Sequence, residues 1–275
     1  MNQNGPLFSI VIANYNYSQF LEQAIQSILN QSCQDFELII VDGGSTDNSV
    51  EIITKYSEKL SWWVSEKDKG QSDAFNKGFA KAKGQFYFWL NADDLLLPKS
   101  LEYAKNAIIK YPDTLWFAAN TVFFSKEGFI QRCSRGPNWK NYLLKNAPIY
   151  VYGPTTIFHQ SIFRDAGGFE ECLNYSMDTD LWLRFMSNGI RFKRIDKYFW
   201  GFRLHEKSKT THTFSSVPTN EYLQEQIYIC KKHSLRYTKS GRIKQTIYKS
   251  LFGCYLLALR DRILMKGKKI ESLRF

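Results

Sequence analysis

The sequence has 275 residues and a mass of 32.2 kDa, and 44% of its residues are hydrophobic, 16% aromatic and 23% charged. This composition excludes a disordered chain, a collagen and a coiled coil, and the length fits one large α/β domain, alone or with an appendage. Residues 216–275 hold 13 basic and 4 acidic side chains and carry +9 of the net charge of +11, so a nearly neutral body precedes a basic tail.

The first hundred residues alternate short apolar runs with stretches of helical periodicity. Strands are predicted at residues 7–13, 36–41, 61–65 and 85–90. A predicted helix follows each of the first three strands. Ser18 is the expected N-cap of the first helix, and Gly84 is expected to close the third, predicted over 73–83. Four strands with intervening helices predict a doubly wound, mainly parallel sheet of Rossmann-like type.

The polar clusters of this half all fall where a predicted strand ends. They are Asn14-Tyr15-Asn16, Asp42, the segment 66–73 and Asp93-Asp94. Sheets of this kind bind ligands beyond the carboxyl ends of their strands. The four loops are therefore expected to form one site.

The second half of the chain is less regular. The pattern predicts a helix at 98–111, a β-hairpin at 114–135, a helix from Asp178, a strand at 190–195 and an exit segment at 198–211. From Ser216 the chain is expected to be helical, with an apolar stripe through Ile247, Leu251, Cys254 and Ala258. The longest apolar run of this tail, residues 251–259, is far shorter than the roughly 20 residues that span a bilayer.

The five cysteines and the N-terminus indicate a cytoplasmic location. The cysteines are odd in number and scattered, and no two form a C-x-x-C pair, which disfavours disulfides and zinc and favours a reducing compartment. Residues 1–6 have neither a basic region nor an apolar region of the kind that begins a secretory signal.

Two common nucleotide-binding motifs are absent. The chain has no G-x-G-x-x-G after its first strand and no G-x-x-x-x-G-K-[ST], which disfavours a dinucleotide-binding protein and a P-loop NTPase. Carboxylates stand at the strand ends instead, and they repel phosphate unless a divalent cation bridges the two groups. Mg²⁺ is typically held by one or two carboxylates and by substrate phosphates, so Asp93-Asp94 fits such a site.

Several ordered motifs then resemble one family. The runs FSIVIANYN, FELIIVDGGSTDNS, DKGQSDAFNKGFAKAKGQ and FYFWLNADD resemble family-2 glycosyltransferases of the GT-A fold, and GGFEECLNYSMDTDLWLRFMSNG and FRLHEKSKT extend the resemblance to Thr211. It implies inverting transfer of a sugar from a nucleotide donor to an acceptor hydroxyl, with Mg²⁺ or Mn²⁺. It also implies a GT-A domain at 5–215, with a nucleotide-binding half at 5–97 and an acceptor-side half at 98–215. A basic helical extension at 216–275 would follow.

The resemblance assigns the donor site position by position. Ala13, Asn14 and Tyr15 match the loop against the donor base, and Asp42 matches the acid that hydrogen-bonds the base. Asp93 and Asp94 match the metal and ribose-diphosphate positions of the family's DxD element, and Asn91 stands where many relatives have the first acid of that element. Lys69 and Asp73, in the third loop, are further candidates to contact the donor sugar or phosphate.

The resemblance also assigns the acceptor side. Asp178 matches the catalytic base, although Met177 stands where a Glu usually precedes it. His205 matches a residue near the metal and the diphosphate, so the metal set is Asp93, Asp94 and His205. Arg203 or Lys209 could add positive charge beside the departing diphosphate.

Each assignment has a structural alternative. Asp42 could serve turn chemistry alone, Asp93-Asp94 could cap a helix, and Asp178 could cap the helix that it begins. His205 could be a solvated loop residue, and Lys69 and Asp73 could lie on the surface. Asp180, Trp182 and Arg184 are interpreted as structural, and no role is assigned to His159, His212 or His233.

The leading hypothesis is a metal-dependent inverting glycosyltransferase that uses a UDP-, GDP- or TDP-sugar to extend a polysaccharide or a lipid-linked oligosaccharide. A sugar nucleotidyltransferase is one alternative, but it would carry a glycine-rich basic loop where this chain has Asn14-Tyr15-Asn16. A sugar-binding relative without activity is disfavoured by Asp93, Asp94 and Asp178.

The basic tail leaves two interpretations open. It fits an interfacial helix on anionic lipid at the inner face of the membrane, and it equally fits a helix packed on the domain with its basic side solvated. A nucleic-acid-binding protein would interleave aromatic and basic residues, whereas the aromatic residues of the tail are spaced like helix core, so no nucleic-acid partner is expected.

Overall fold

The computed structural model describes residues 5–136, 151–206, 208, 220–236, 238–251 and 254–273. Within these residues the chain forms one nine-stranded sheet with helices on both faces. The predicted α/β class is confirmed.

Parallel strands and intervening helices make up the first half. In chain order they are β1 (Phe8–Asn14), α1 (Ser18–Leu29), β2 (Phe36–Asp42), α2 (Ser49–Lys55), β3 (Trp62–Ser65), α3 (Gln71–Lys81) and β4 (Phe86–Asn91). The strands lie in the order β3-β2-β1-β4, and all neighbours are parallel. The predicted doubly wound arrangement is correct, and it brings Asn14, Asp42 and Asn91 to the same edge of the sheet.

The second half continues the same sheet with mixed directions. Its elements are β5 (Leu95–Leu96), α4 (Ser100–Lys110), β6 (Trp116–Ser125), β7 (Ile130–Ser134), β8 (Thr156–His159), α5 (Gln160–Asp165), α6 (Met177–Ser187) and β9 (Lys193–Leu204). Strand β8 is antiparallel to both β4 and β6, β9 is parallel to β6, and β7 forms the predicted hairpin with β6. The sheet is continuous across residue 97, where the sequence places a division between two halves; that division stays a prediction.

Both faces of the central strands are buried, which explains why the sequences of these strands are apolar at nearly every position. Ile10 and Ile12 of β1 face the core beneath α1, whereas Val11, between them, faces the core beneath α3. The strands are therefore fixed in register by packing on two sides, and their carboxyl ends form a rigid edge for the loops that follow.

Two predicted helix signals, Ser18 and Gly84, are wrong because each residue contacts a distant part of the chain instead of capping or closing a helix. Ser18 is the first residue of α1 and does not cap it; its backbone N–H donates to Oδ2 of Asp47 at 2.9 Å, so the next loop provides the capping carboxylate. Helix α3 ends at Lys81, before Gly84. A Cβ at Gly84 would lie 2.6 Å from the backbone N of Ser9, so this glycine permits a close approach to β1.

The predicted strand at 190–195 and the exit segment from 198 are one strand. Asp196 and Lys197 interrupt the apolar pattern, but both are exposed, and Asp196 pairs with Arg135 at 2.6 Å. Charged residues are therefore tolerated within β9, which runs alongside β6 from residue 193 to residue 204.

The tail is helical, as predicted, in its described residues. It contains α7 (Asn220–Lys232), α8 (Lys239–Leu251) and α9 (Cys254–Met265). Helix α9 packs against β7. None of the described helices has both the length and the apolar character that crossing a membrane requires.

Candidate active site

A cavity of about 380 Å³ opens at the carboxyl ends of β1 and β4. It is lined by the first loop, the loop after β3, the start of α3, the end of β4 and the end of β9: Ala13, Asn14, Tyr15, Asn16, Tyr17, Asp68, Gly70, Gln71, Ala74, Asn91, Ala92, Asp93, Phe202 and Ser208. Three of the four loops predicted to form one site meet here, together with residues of the second half. The loop after β2 stands behind the lining.

Asp42, which ends β2, is fully buried and joins three strand ends. Its carboxylate accepts hydrogen bonds from Nδ2 of Asn14 at 2.6 Å, from the hydroxyl of Ser65 at 2.6 Å, and from both the backbone N–H and the hydroxyl of Ser45. With four protein donors already bound, Asp42 does not line the cavity. In this structure the carboxylate of Asp42 orders the loop, and the contact with the donor base that the sequence assigns to it stays a prediction.

These contacts of Asp42 also fix the side chain of Asn14. Its amide nitrogen donates to Asp42 and to Ser45, which fixes the orientation of the amide group. Its buried Oδ1 accepts no hydrogen bond from the described residues, although Asn14 lines the cavity. A buried acceptor without a partner is costly, and a ligand N–H would satisfy it.

Asp68, in the loop after β3, is the carboxylate that sequence reasoning missed. It lines the cavity, accepts a hydrogen bond from the backbone N–H of Gly70 at 2.8 Å, and its pKa is raised by burial. A Cβ at Gly43 would lie 2.5 Å from its Oδ2, so the second loop needs glycine to admit this side chain. The Asp-x-Gly turn shortly after a strand is the local signal that could have identified Asp68.

Lys69 and Asp73, predicted in the same loop, point elsewhere. The ammonium group of Lys69 pairs with Glu171 at 3.0 Å, and its side chain is 76% exposed. Oδ2 of Asp73 accepts the backbone N–H of Lys69 at 3.0 Å and pairs with Lys77 at 3.3 Å. Neither residue lines the cavity, and their contact with a donor stays a prediction.

Asp93 and His205 are brought together, as the predicted metal set requires. Nε2 of His205 lies 2.9 Å from Oδ2 of Asp93, and both residues are largely buried. Oδ1 of Asp93 makes no hydrogen bond with any residue in the described part of the chain, and Asp93 lines the cavity. The rings of Tyr17 and Phe20 hold the imidazole in place, with centroids at 5.8 and 4.9 Å.

Asp94 is turned away from this group. Its carboxylate accepts the backbone N–H of Arg203 at 3.0 Å and Nδ2 of Asn91 at 2.9 Å, and burial together with the charge of Asp93 raises its pKa well above the ordinary value. Asp94 does not line the cavity. The structure thus separates the two aspartates: Asp93 faces the ligand space, and Asp94 anchors the turn.

Arg203 holds the same turn from β9. Its Nε donates to the backbone carbonyl of Asp93 at 2.8 Å, and its guanidinium group lies over the rings of Phe20 and Phe124, 4.5 and 4.7 Å from their centroids. Arg203 is 3% exposed. In this structure Arg203 holds the turn, and the contact with diphosphate that the sequence suggests stays a prediction. Lys209, the other suggested cation, lies outside the described residues.

Asn91 explains one departure from the family pattern. Its side chain accepts a hydrogen bond from Gln71 at 2.7 Å and donates one to Asp94. An aspartate at position 91 would place a second negative charge against the buried carboxylate of Asp94, which is costly. The amide instead links α3 to the turn.

Asp178, the predicted base, lies in the first turn of α6. Its carboxylate accepts the backbone N–H of Gly153 at 3.1 Å and that of Thr179 at 2.6 Å. Burial nevertheless raises its pKa to about 6. A carboxylate that titrates near neutrality is suited to accept a proton. Asp178 is not among the residues that line the 380 Å³ cavity, so its role stays a prediction.

Asp180, two residues on, is structural, as its pattern predicts. It is fully buried and pairs with Arg184 at 2.8 Å, with His233 at 2.8 Å and with Lys232 at 3.0 Å. His233, to which the sequence assigns nothing, therefore helps to fasten α7 to α6.

Glu225 of α7 braces the chain that leads into α6. Its carboxylate accepts the backbone N–H groups of Asn174, Tyr175 and Ser176 at 2.6 to 3.0 Å. Because Ser176 directly precedes α6, Glu225 supplies the negative charge that a helix N-terminus favours. No local pattern in the sequence pairs residue 225 with residues 174–176, so only the structure identifies this contact.

Comparison with known proteins identifies related sequences and a family model. The family model for glycosyl transferase family 2 matches residues 9–166, which is more than half of the chain. An uncharacterized glycosyltransferase of Rickettsia typhi is 29% identical over 195 residues, covering 68% of this chain and 61% of the relative. The chondroitin synthase of Escherichia coli is 28% identical over 220 residues, covering 79% of this chain and 32% of that enzyme. The chain thus spans less than two thirds of these relatives.

Solved structures share the fold. TarS residues 1–349 of S. aureus in complex with UDP-GlcNAc superpose with a TM-score of 0.64 at 20% identity, covering 90% of this chain and 72% of that one. The mannosyltransferase PcManGT of Pyrobaculum calidifontis, in complex with GDP-Man and Mn²⁺, gives a TM-score of 0.59 at 17% identity, covering 83% and 64%. The predicted GT-A-like architecture is therefore confirmed.

Proposed function

The chain belongs to glycosyl transferase family 2, and we propose that it transfers a sugar, with inversion, from a nucleotide-sugar donor to the hydroxyl group of a glycan or lipid-linked acceptor. One observation carries the proposal most directly. Asp93, held by Arg203 through its backbone and by His205 through its side chain, faces a cavity at the carboxyl ends of parallel strands. Family membership favours transfer over the nucleotidyltransferase alternative.

The cavity suits a nucleotide-sugar. Its volume of about 380 Å³ is within the range of small-molecule sites. We assign Oδ1 of Asn14 and the carboxylate of Asp68 to N–H groups of the donor base or hydroxyl groups of its ribose, since both residues line the cavity and both are acceptors. Tyr15, which is 59% exposed at its rim, offers a ring for stacking on the base. Ala13 leaves room beside them, and Asp42 holds Asn14 in place.

The residues present fit a divalent cation. Asp93 offers a carboxylate oxygen that has no hydrogen-bond partner among the described residues, and His205 offers an imidazole nitrogen beside it. Among the described residues, no three His, Cys, Asp or Glu side chains form a cluster with metal-binding geometry. One carboxylate completed by substrate phosphates is nonetheless a common way to hold Mg²⁺. When bound, Mg²⁺ or Mn²⁺ would offset the charge of the departing diphosphate.

Asp178 is the proposed base. With a pKa near 6, it is ionised at neutral pH and could take the proton from the acceptor hydroxyl. Its two backbone hydrogen bonds fix the direction of the carboxylate, and Trp182 of the same helix stacks on both Trp89 and Trp116, which keeps α6 rigid against the sheet. The polysaccharide or lipid-linked nature of the acceptor extends this proposal, and the E. coli relative named chondroitin synthase supports it.

A nucleotide-sugar screen tests the proposal. UDP-, GDP- and TDP-sugars are added with Mn²⁺ or with EDTA, and thermal unfolding and nucleotide release are measured. A donor at a hundred times its Kd should stabilise the protein by about 2.7 kcal/mol. The same screen on Asp93→Asn serves as the matched control, and there stabilisation by Mn²⁺ and donor should be lost. Absence of stabilisation and of nucleotide release with every donor would contradict the proposal.

A further inference from the structure

Helix α9 presents an apolar face to solvent and a polar residue to the protein. Its Asp261 is 5% exposed and hydrogen-bonds Arg135 and Tyr198, whereas Ile263, two residues on, is 73% exposed. Leu256 and Leu259 precede Ile263 at the spacing of one helix face, and both are exposed. Helix α9 thus leaves large aliphatic side chains in solvent while it buries a charged one.

The exposed face differs from the stripe that the sequence suggests. Cys254 is buried and Ala258 is half-buried, so these two members of the predicted stripe face the domain. Ile247 of α8 is exposed, and so is Ile243 one turn earlier. Because α8 packs against α9, the tail carries a set of exposed large aliphatic side chains on two adjoining helices.

Positive charge surrounds these side chains. The described segments 238–251 and 254–273 contain nine basic and two acidic residues, and one of the two acids is the buried Asp261. Arg260, Arg262 and Lys266 are exposed and alternate with the aliphatic side chains of α9. Apolar side chains interleaved with cations are typical of helices that lie in the headgroup region of a bilayer.

We propose that α8 and α9 dock the protein on the surface of an anionic lipid bilayer. Charge complementarity favours this partner: acidic headgroups attract the cations, while acyl chains accept Leu256, Leu259 and Ile263. A second copy of the chain would bring two strongly basic faces together, and nucleic acid would leave the aliphatic side chains in water. The proposal is independent of the proposed transfer reaction, although it would suit a lipid-linked acceptor.

Vesicle co-sedimentation of the full chain tests the docking. Vesicles of equal parts phosphatidylglycerol and phosphatidylcholine are compared with vesicles of phosphatidylcholine alone, at low and at high salt. The protein should sediment with the anionic vesicles and be released by salt. The triple variant Leu256→Asn/Leu259→Asn/Ile263→Asn should bind at least about tenfold more weakly, because three aliphatic side chains no longer enter the bilayer. Arg262→Gln and Lys266→Gln should each weaken binding about fivefold.

Ile109→Asn on α4 is the matched control, since Ile109 is 68% exposed and lies on another helix. It should leave vesicle binding unchanged. The proposal is overturned if the unaltered protein ignores anionic vesicles, or if the triple variant binds them normally. It is also overturned if light scattering shows a dimer that the triple variant disrupts, which would make a second copy the partner. Thermal stabilisation by nucleotide-sugars, measured without vesicles, should not change in any of these variants.

Discussion

Asp178 and Asp180 lie two residues apart in the first turn of α6 and have opposite electrostatic environments. Burial raises the pKa of Asp178 to about 6, and its carboxylate has no cationic partner among the described residues. Asp180 is also buried, but His233, Arg184 and Lys232 lower its pKa to about 2. One carboxylate is therefore poised to accept a proton, and its neighbour is locked in the ionised form.

The first prediction concerns Asp178. Asp178→Asn should lower kcat by ~10²–10⁴-fold with little change in the donor KM, because it removes a base used only in the transition state. In the unaltered protein kcat should fall as the pH drops below about 6, since protonated Asp178 cannot accept a proton. Steady-state kinetics between roughly pH 5 and pH 8 check both expectations, because this range extends to either side of the titration midpoint of Asp178. Near-normal turnover by Asp178→Asn would refute the assignment.

The second prediction concerns Asp180. Its pKa falls from 3.8 unfolded to about 2 folded, so its ionised form contributes stability above about pH 4 that is lost as the pH falls toward 2. Asp180→Asn should lower the free energy of unfolding by about 2 kcal/mol at neutral pH. The difference in the free energy of unfolding between Asp180→Asn and the unaltered protein should become smaller at about pH 3, near the middle of that pH range. Urea unfolding at both pH values measures this. If Asp180→Asn abolishes kcat in a stable protein, Asp180 is the base instead.

The third prediction separates Asp93 from Asp94. Asp93→Asn should weaken the apparent Mn²⁺ affinity by more than about 100-fold, because it removes the carboxylate that faces the cavity. Asp94→Asn should lower activity by disturbing the turn, within the roughly 10- to 100-fold range of residues that act through others. Activity titrated with Mn²⁺ distinguishes them. Identical metal titrations for the two variants, or full turnover in EDTA, would count against the assignment.

The fourth prediction compares Asp42 with Asp68. Asp42→Asn replaces a carboxylate that binds four donors, so it should lower stability by roughly 1–3 kcal/mol and raise the donor KM indirectly through Asn14. Asp68→Asn removes a cavity acceptor and should raise the donor KM about 10-fold or more with an unchanged melting temperature. In both variants kcat should change less than KM. Donor kinetics and thermal unfolding, measured together, give the test. An Asp42→Asn protein with unchanged stability and a high donor KM would show instead that Asp42 contacts the donor directly.

The fifth prediction treats Glu225 as a positioning residue. Glu225→Gln weakens the brace on residues 174–176 and should lower kcat by about 10-fold or more through displacement of Asp178, with an unchanged donor KM. Glu225→Asp should restore part of the activity. Glu221→Gln is the control, because Glu221 accepts only one long hydrogen bond there, from the hydroxyl of Tyr175 at 3.4 Å. If Glu225→Gln has a lower melting temperature and a normal kcat, Glu225 stabilises the protein and does not position Asp178.

The parallel half of the fold was predictable because its signals are local. Runs such as Phe36–Val41 are apolar at all but one position, and the polar residues that follow them mark where each strand ends. Asn14, Asp93 and the loop after β3 could be placed at one edge on that basis alone. Strand β9 could not be predicted as one strand, because the exposed Asp196 and Lys197 interrupt the apolar pattern from which buried strands are recognised.

The division of labour within the site depends on contacts that the sequence does not show. Asp42 and Asp68 both follow strands, but only the structure shows that Asp42 is enclosed by donors while Asp68 enters the cavity. In the same way, Asp93 and Asp94 are neighbours in sequence and diverge because Arg203 binds the backbone between them. At the Asp93-Asp94 turn, the partner that holds the backbone and the Asp94 side chain is more than a hundred residues away.

The hold of Arg203 on the Asp93 turn also orders events during synthesis. The two residues are 110 positions apart, and β9, which holds Arg203, lies between β6 and β5 in the sheet. While the ribosome is still making the middle of the chain, the nascent parallel strands can already associate, but their ligand-facing aspartate has no anchor. We expect the emerging protein to form its parallel sheet before it can bind a donor, and donor binding to begin only once β9 has left the exit tunnel.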